Sequence, residues 1–210
     1  MTGIGNFRMS QEAPSALFVD WSNIYLGRRE AALQRGEDPL AVRVSAERLA
    51  ALMAFGRPVQ QAIAVVNEVR TPPEAIRRIA RGFRPIPARP ATDGFEQTND
   101  ALLRERMWGC LFAMKPGVMV LASGDGNGWD TGEGFSQPLL AARRLGWAVE
   151  VLAWRHSLHR RLASTVKEFG GAVILLDDYY DQITFVQGGR VSDPLNLTHR
   201  PSSEPTSVAA

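Results

Sequence analysis

Short apolar runs, each separated from the next by a segment with helical apolar spacing, constrain this chain more than any other feature. They are ALFVD at residues 16–20, AIAVV within 59–69, GVMVLAS at 117–123, the run 147–154 and AVILL at 172–176. Short β-rich runs without polar alternation read as strands buried on both faces. Between them lie helical patterns. Ser45 opens one that places Leu49, Leu52 and Met53 on one face and stops at Gly56. Thr71-Pro72-Pro73-Glu74 has the spacing of a capping box with proline at the first helical position, continued by Ile76, Ile79, Ala80 and Phe83. Residues 98–112 put Leu102, Leu103, Met107, Cys110 and Leu111 inward, 135–145 end at Gly146, and 156–169 form a last helix. Residues 84–95, with three prolines, read as a loop or irregular strand. Strands alternating with helices at this spacing predict an α/β fold whose mainly parallel sheet is covered on both faces.

A chain of 210 residues fits one domain plus tails on the usual scale of about 100–200 residues per domain. The periodic region runs over 15–187, with flexible tails expected at 1–14 and 188–210. Hydrophobic residues at 45% and charged residues at 22% are globular values and exclude wholesale disorder. One cysteine, Cys110, excludes an internal disulfide and a cysteine zinc site; in its apolar helix it is expected to be an inert core thiol. No apolar run approaches the roughly 18 residues of a membrane span. The opening MTGIGNFRMSQEAPS lacks the features of a secretory signal, so a cytoplasmic protein is expected.

In open parallel sheets, sites form outside the carboxyl ends of the strands. Asp20 ends the first apolar run, Asp125 follows the third, and Asp100 begins the helix after the proline-rich segment. Three carboxylates brought to one sheet edge suit a hard divalent cation, Mg²⁺ or Mn²⁺. Each also has a plain structural reading: Asp20 as a buried N-cap, Asp100 as a first-turn helix acid, Asp125 as a turn residue.

These residues carry a family resemblance. FVDWSN (18–23) resembles the D-x-x-N opening of the NYN domains, a LabA-related branch of the PIN-like nuclease superfamily. LASGDGN (121–127) resembles their third-strand S-G-D motif, and TNDALLRERM (98–107) their helix with a middle acid. The order agrees over roughly residues 15–186. The resemblance implies a three-layer α/β/α sandwich and metal-dependent RNA cleavage, with Asp20, Asn23, Asp100 and Asp125 as catalytic residues and the three aspartates as metal ligands. Two positions differ: Gln97 stands where the family has lysine, and Asn127 where it commonly has a second aspartate. Asp130 or Glu133, from the apparent insertion GWDTGEG, is a candidate to restore that acid.

Other readings of the glycine-rich loop fail on spacing. Counted from Asp125 as an EF-hand, position 5 is Trp129 and position 12 is Ser136. No G-K-[ST] or G-x-G-x-x-G motif is present.

Net charge is only +2, yet all but two of the 24 basic residues (Lys115 and Lys167) are arginine. Codon usage in a GC-rich genome is the plain explanation of that excess; distribution says more. Arg70, Arg77, Arg78, Arg81, Arg84 and Arg89 crowd one stretch, and Arg155, His156, His159, Arg160 and Arg161 another. Each is either a solvated helix face or, near an acidic metal site, a hold on a phosphate backbone. Arg77, Arg78, Arg81, Arg160 and Arg161 are therefore the RNA-binding candidates. Trp21 is read as core, with base stacking as the alternative.

The leading expectation is a metal-dependent ribonuclease acting on single-stranded or structured RNA. Asn23 is expected to orient a ligand or a phosphate oxygen. The alternatives are a catalytically weakened PIN-like module that binds RNA or protein, and a phosphatase, which needs a closed pocket. No membrane contact is expected, and a homodimer is compatible with the sequence.

Overall fold

The computed structural model describes residues 13–88, 99–125 and 134–198. Its central sheet has six strands: β1 (Ser15–Asp20), β3 (Val59–Asn67), β4 (Arg84–Ala88), β5 (Val118–Ala122), β6 (Ala148–Ala153) and β7 (Ala172–Leu175). All pair in parallel, in the order β4-β3-β1-β5-β6-β7. The helices are α1 (Trp21–Gln34), α2 (Ala46–Ala54), α3 (Pro73–Ile79), α4 (Asn99–Ala113), α5 (Ser136–Arg144), α6 (Arg160–Glu168) and α7 (Tyr180–Ile183). A 3-10 turn (Leu176–Tyr179) precedes α7, and β2 (Val42–Val44) pairs antiparallel with β8 (Thr184–Val186) as a separate ribbon.

Alternation along β1 shows how the layers form. Leu17 and Val19 enter one apolar core with Ile24, Leu49 and Leu52 of α1 and α2; Ala16 and Phe18 enter the other with Leu103, Leu139 and Leu162 of α4, α5 and α6. Every residue of β1 is buried, which explains its non-alternating sequence. The result is the expected three-layer α/β/α sandwich.

Several boundaries differ from those expected from the sequence. The proline-rich segment begins as a regular strand, β4, at the sheet edge. Pro85 and Pro87 alternate, so both missing N–H groups fall on one side, where an edge strand needs no partner. Pro72, not Thr71, is the N-cap of α3 and makes no side-chain cap bond, so the capping box does not form. The last long helix starts at Arg160 rather than 156, because the Ser157 and Leu158 N–H groups bond the Trp154 carbonyl and that of His159 bonds Gly124. The tail expected from 188 is fixed through its first part. Arg190 pairs with Glu37 at 2.7 Å, and Leu195 and Leu197 pack on the first core.

Cys110 is buried, and burial pushes its thiol up to about 11, as befits a core cysteine. Among the described residues, no helix is long and apolar enough to cross a membrane.

Candidate active site

From β1 the chain steps outward to β3 and β4, then returns across the sheet to β5, β6 and β7. The two directions part between β1 and β5, and a crevice at such a switch point, outside the carboxyl ends, is where doubly wound sheets bind ligands. Asp20 ends β1 there, and Asp125 lies three residues beyond β5.

Asp20 passes the chain directly from strand to helix. As N-cap of α1 its Oδ1 accepts the N–H groups of Ser22 at 3.1 Å and Asn23 at 3.3 Å. It is only 5% exposed. Burial, then the charges of Asp100 and Asp125, push its carboxyl up to about 7, against the pull of those two N–H groups. The structural reading of Asp20 holds, since one oxygen caps the helix, and the same group also feels two other carboxylates.

Asp100 sits in the first turn of α4, half-buried. Burial and Asp125 push it up to about 6, with Arg104 acting in the opposite direction. Beside it, Asn99 Nδ2 donates to Ser22 Oγ at 2.8 Å, joining the start of α4 to the start of α1. Asp125 is half-buried, its N–H donating to Ser123 Oγ at 3.2 Å. Asp100 and Asp125 therefore act electrostatically on Asp20, and Asp125 on Asp100, from three separate parts of the chain. Among the described residues, no group of three His, Cys, Asp or Glu side chains closes into a metal-holding set. Gln97, Asn127, Asp130 and Glu133 lie outside the described residues.

Asn23 has a partner within the fold for its side-chain oxygen. Its Oδ1 accepts the Gly124 N–H at 2.9 Å and so registers the loop that carries Asp125. That loop has no room for a side chain at 124: an added Cβ would lie 2.4 Å from the Ser157 carbonyl oxygen. The Gly124 carbonyl accepts from His159 N–H at 2.9 Å, and Asp177 accepts the Arg155 N–H at 2.7 Å. Segment 155–159, which packs on Gly124, is thereby pinned at both ends. His159 caps α6 through Nδ1, a structural role.

Next to the acids opens a cavity of about 610 Å³ between α1, α3 and the β2–β8 ribbon. Ser22 and Asn99 line its edge on the acidic side. Of the arginines singled out from sequence, Arg78 and Arg81 line it, as does Arg70. Arg77 is exposed and does not. Arg160 and Arg161 are exposed at the start of α6, one residue beyond the His159 bond to Gly124. Trp21 is 7% exposed, packed against Phe83 with ring centroids 6.5 Å apart, yet also reaches the cavity wall.

Tyr25, Arg29, Arg43 and Phe185 also line the cavity and were not foreseen. The first two were discoverable, since Trp21, Tyr25 and Arg29 recur every four residues and so share a helix face. Arg43 and Phe185 meet only through the β2–β8 pairing. No protein-family model matches this chain, and no curated protein matches its sequence.

Proposed function

We propose that this chain is a metal-dependent ribonuclease. The observation that carries the reading is that Asp20, at the switch point of a parallel sheet, feels the charges of Asp100 and Asp125 beside a cleft rich in arginine. Neighbouring carboxylates that raise the proton affinity of Asp20 and Asp100 are an unfavourable arrangement for a fold alone and a favourable one for a cation.

The donor set is all oxygen, which fits Mg²⁺ or Mn²⁺. Asp20, Asp100 and Asp125 would hold the ion, in part through water. The bound ion supplies a water of lowered pKa and positive charge for the leaving oxygen of a phosphodiester. The chain's own residues do the rest. Asn23 keeps Asp125 in register with Asp20, Asn99 fixes α4 against α1, and Arg78 and Arg81 hold the phosphate backbone.

One observation favours a second reading, a weakened PIN-like module that binds RNA without cutting it: the described residues form no closed three-donor set. Cleavage of single-stranded RNA in Mn²⁺ by the wild type and by Asp125→Asn separates the two. The nuclease reading expects cleavage to fall by orders of magnitude while RNA affinity holds or rises, since an anion facing phosphates is neutralised. Equal cleavage by both proteins overturns it in favour of the binding module.

A further inference from the structure

The cavity beside the acidic residues is not merely a basic surface. Its walls combine aromatic side chains from α1 and the β2–β8 ribbon with arginines from α1, α3 and the segment leading to α3. We propose that it is a nucleotide subsite: it receives the base of one nucleotide of a single-stranded chain and holds that nucleotide's phosphate, next to the phosphodiester presented to Asp20, Asp100 and Asp125. The adjacent chemistry rests on the ribonuclease reading; the binding itself does not.

Three features select a nucleotide. At about 610 Å³, the cavity lies inside the range of about 300–1,000 Å³ that takes small ligands. It accepts a base only when that base is free of a duplex stack. Trp21, Tyr25 and Phe185 offer ring surface, and the Arg28 guanidinium lies 3.6 Å from the Tyr25 ring centroid, clamping one side of that ring in place. A preset aromatic wall, with Trp21 buried and Tyr25 and Phe185 half-buried, suits a flat heterocycle.

Charge distinguishes a nucleotide from an uncharged heterocycle. Among the described residues, Arg29, Arg70, Arg78 and Arg81 form no ion pair, although Glu47 and Glu74 share the lining. Guanidinium groups without carboxylate partners around an aromatic recess complement a phosphate rather than a neutral or cationic guest. The edge of the cavity fixes the order of the parts. Ser22, two residues after Asp20, bonds Asn99, directly before Asp100, so the recess borders the acids along that bond.

Calorimetric titration of the full chain at pH 7 in EDTA, with AMP, UMP, ribose 5-phosphate and inorganic phosphate, tests this directly. The base should add about tenfold in affinity over ribose 5-phosphate, the worth of one aromatic stack. Leu26, 53% exposed on the wall, offers a variant that spares the core. Leu26→Trp should fill the recess and abolish the advantage of AMP and UMP, and Phe185→Ala should reduce it. Arg78→Ala with Arg81→Ala should weaken all four ligands alike. Equal affinity for nucleotide and ribose 5-phosphate, no binding of either nucleotide, or full AMP binding by Leu26→Trp each overturns the subsite. The ribonuclease reading fails separately, when Asp125→Asn cleaves like the wild type while AMP binding persists.

Discussion

The side-chain oxygen of Asn23 accepts the backbone N–H of Gly124 at 2.9 Å, so the loop bearing Asp125 is registered on the helix that begins at Asp20. Gly124 is buried. Asn23→Ala should therefore strand that N–H and cost about 1–3 kcal/mol of stability. Asn23→Asp restores an acceptor but adds a fourth negative charge, so it should recover stability at pH 5 more than at pH 8. Urea midpoints at the two pH values check both, and an unchanged midpoint for Asn23→Ala would refute the positioning role.

Asp20 and Asp100 make stability depend on pH in a sense opposite to most carboxylates. Their folded values, about 7 and about 6, lie above the ordinary aspartate value of 3.8. Between about pH 4 and pH 7 the folded state holds protons that the unfolded state has released, so stability falls as pH rises. The penalty is absent below about pH 4 and complete above about pH 7. Asp20→Asn keeps a good N-cap and removes the buried charge. In EDTA it should flatten the slope and stabilise the chain at pH 8. A steeper decline in the variant would reverse the assignment.

Cations should act against that same penalty. In EDTA at pH 8 the three acids repel; millimolar Mn²⁺ or Mg²⁺ binding the folded state should raise the thermal midpoint. Asp125→Asn should blunt the rise. A midpoint indifferent to Mn²⁺ would support the RNA-binding module without catalysis.

Arg78 and Arg81 line the cavity whereas Arg77 does not. Alanine at Arg78 and Arg81 should weaken RNA binding and reduce its salt slope by about one for each phosphate no longer neutralised. Arg77→Ala should change both less. Filter binding across a salt series compares them, and equal losses would place the RNA on the outer face of α3 instead.

A control for stability without the site is provided by Arg57 and Glu150. These are paired at 2.7 and 2.8 Å with side chains 4% and 1% exposed, and Arg57 also donates to the Met53 and Ala54 carbonyls. Removing one partner of a buried pair leaves a stranded charge, so Glu150→Ala should cost about 3–5 kcal/mol. Guanidinium denaturation measures the loss, and AMP affinity per folded molecule should stay unchanged.

The layers of this protein are readable in the chain itself, because burial on both faces leaves a signature in each strand. ALFVD, GVMVLAS and AVILL are apolar at successive positions since neither side of the sheet meets water. Asp20 and Asp125 could be nominated for a related reason, as the last residue of a buried strand and the turn that follows one lie at the carboxyl edge; Asp100 stood out only as an acid in the first turn of a helix. What pairing across long separations decides was not readable. The β2–β8 ribbon joins residues 42–44 to 184–186 with only three residues on each side, too short for a periodic pattern. Because that ribbon carries Arg43 and Phe185 to the cavity, this wall of the recess was invisible in the sequence. The partner of the Asn23 oxygen was decided the same way: only the meeting of α1 with the turn after β5 gives that oxygen to Gly124. Local patterning determines which elements form and which faces they bury; hydrogen bonds between residues a hundred positions apart depend on where those elements come to rest.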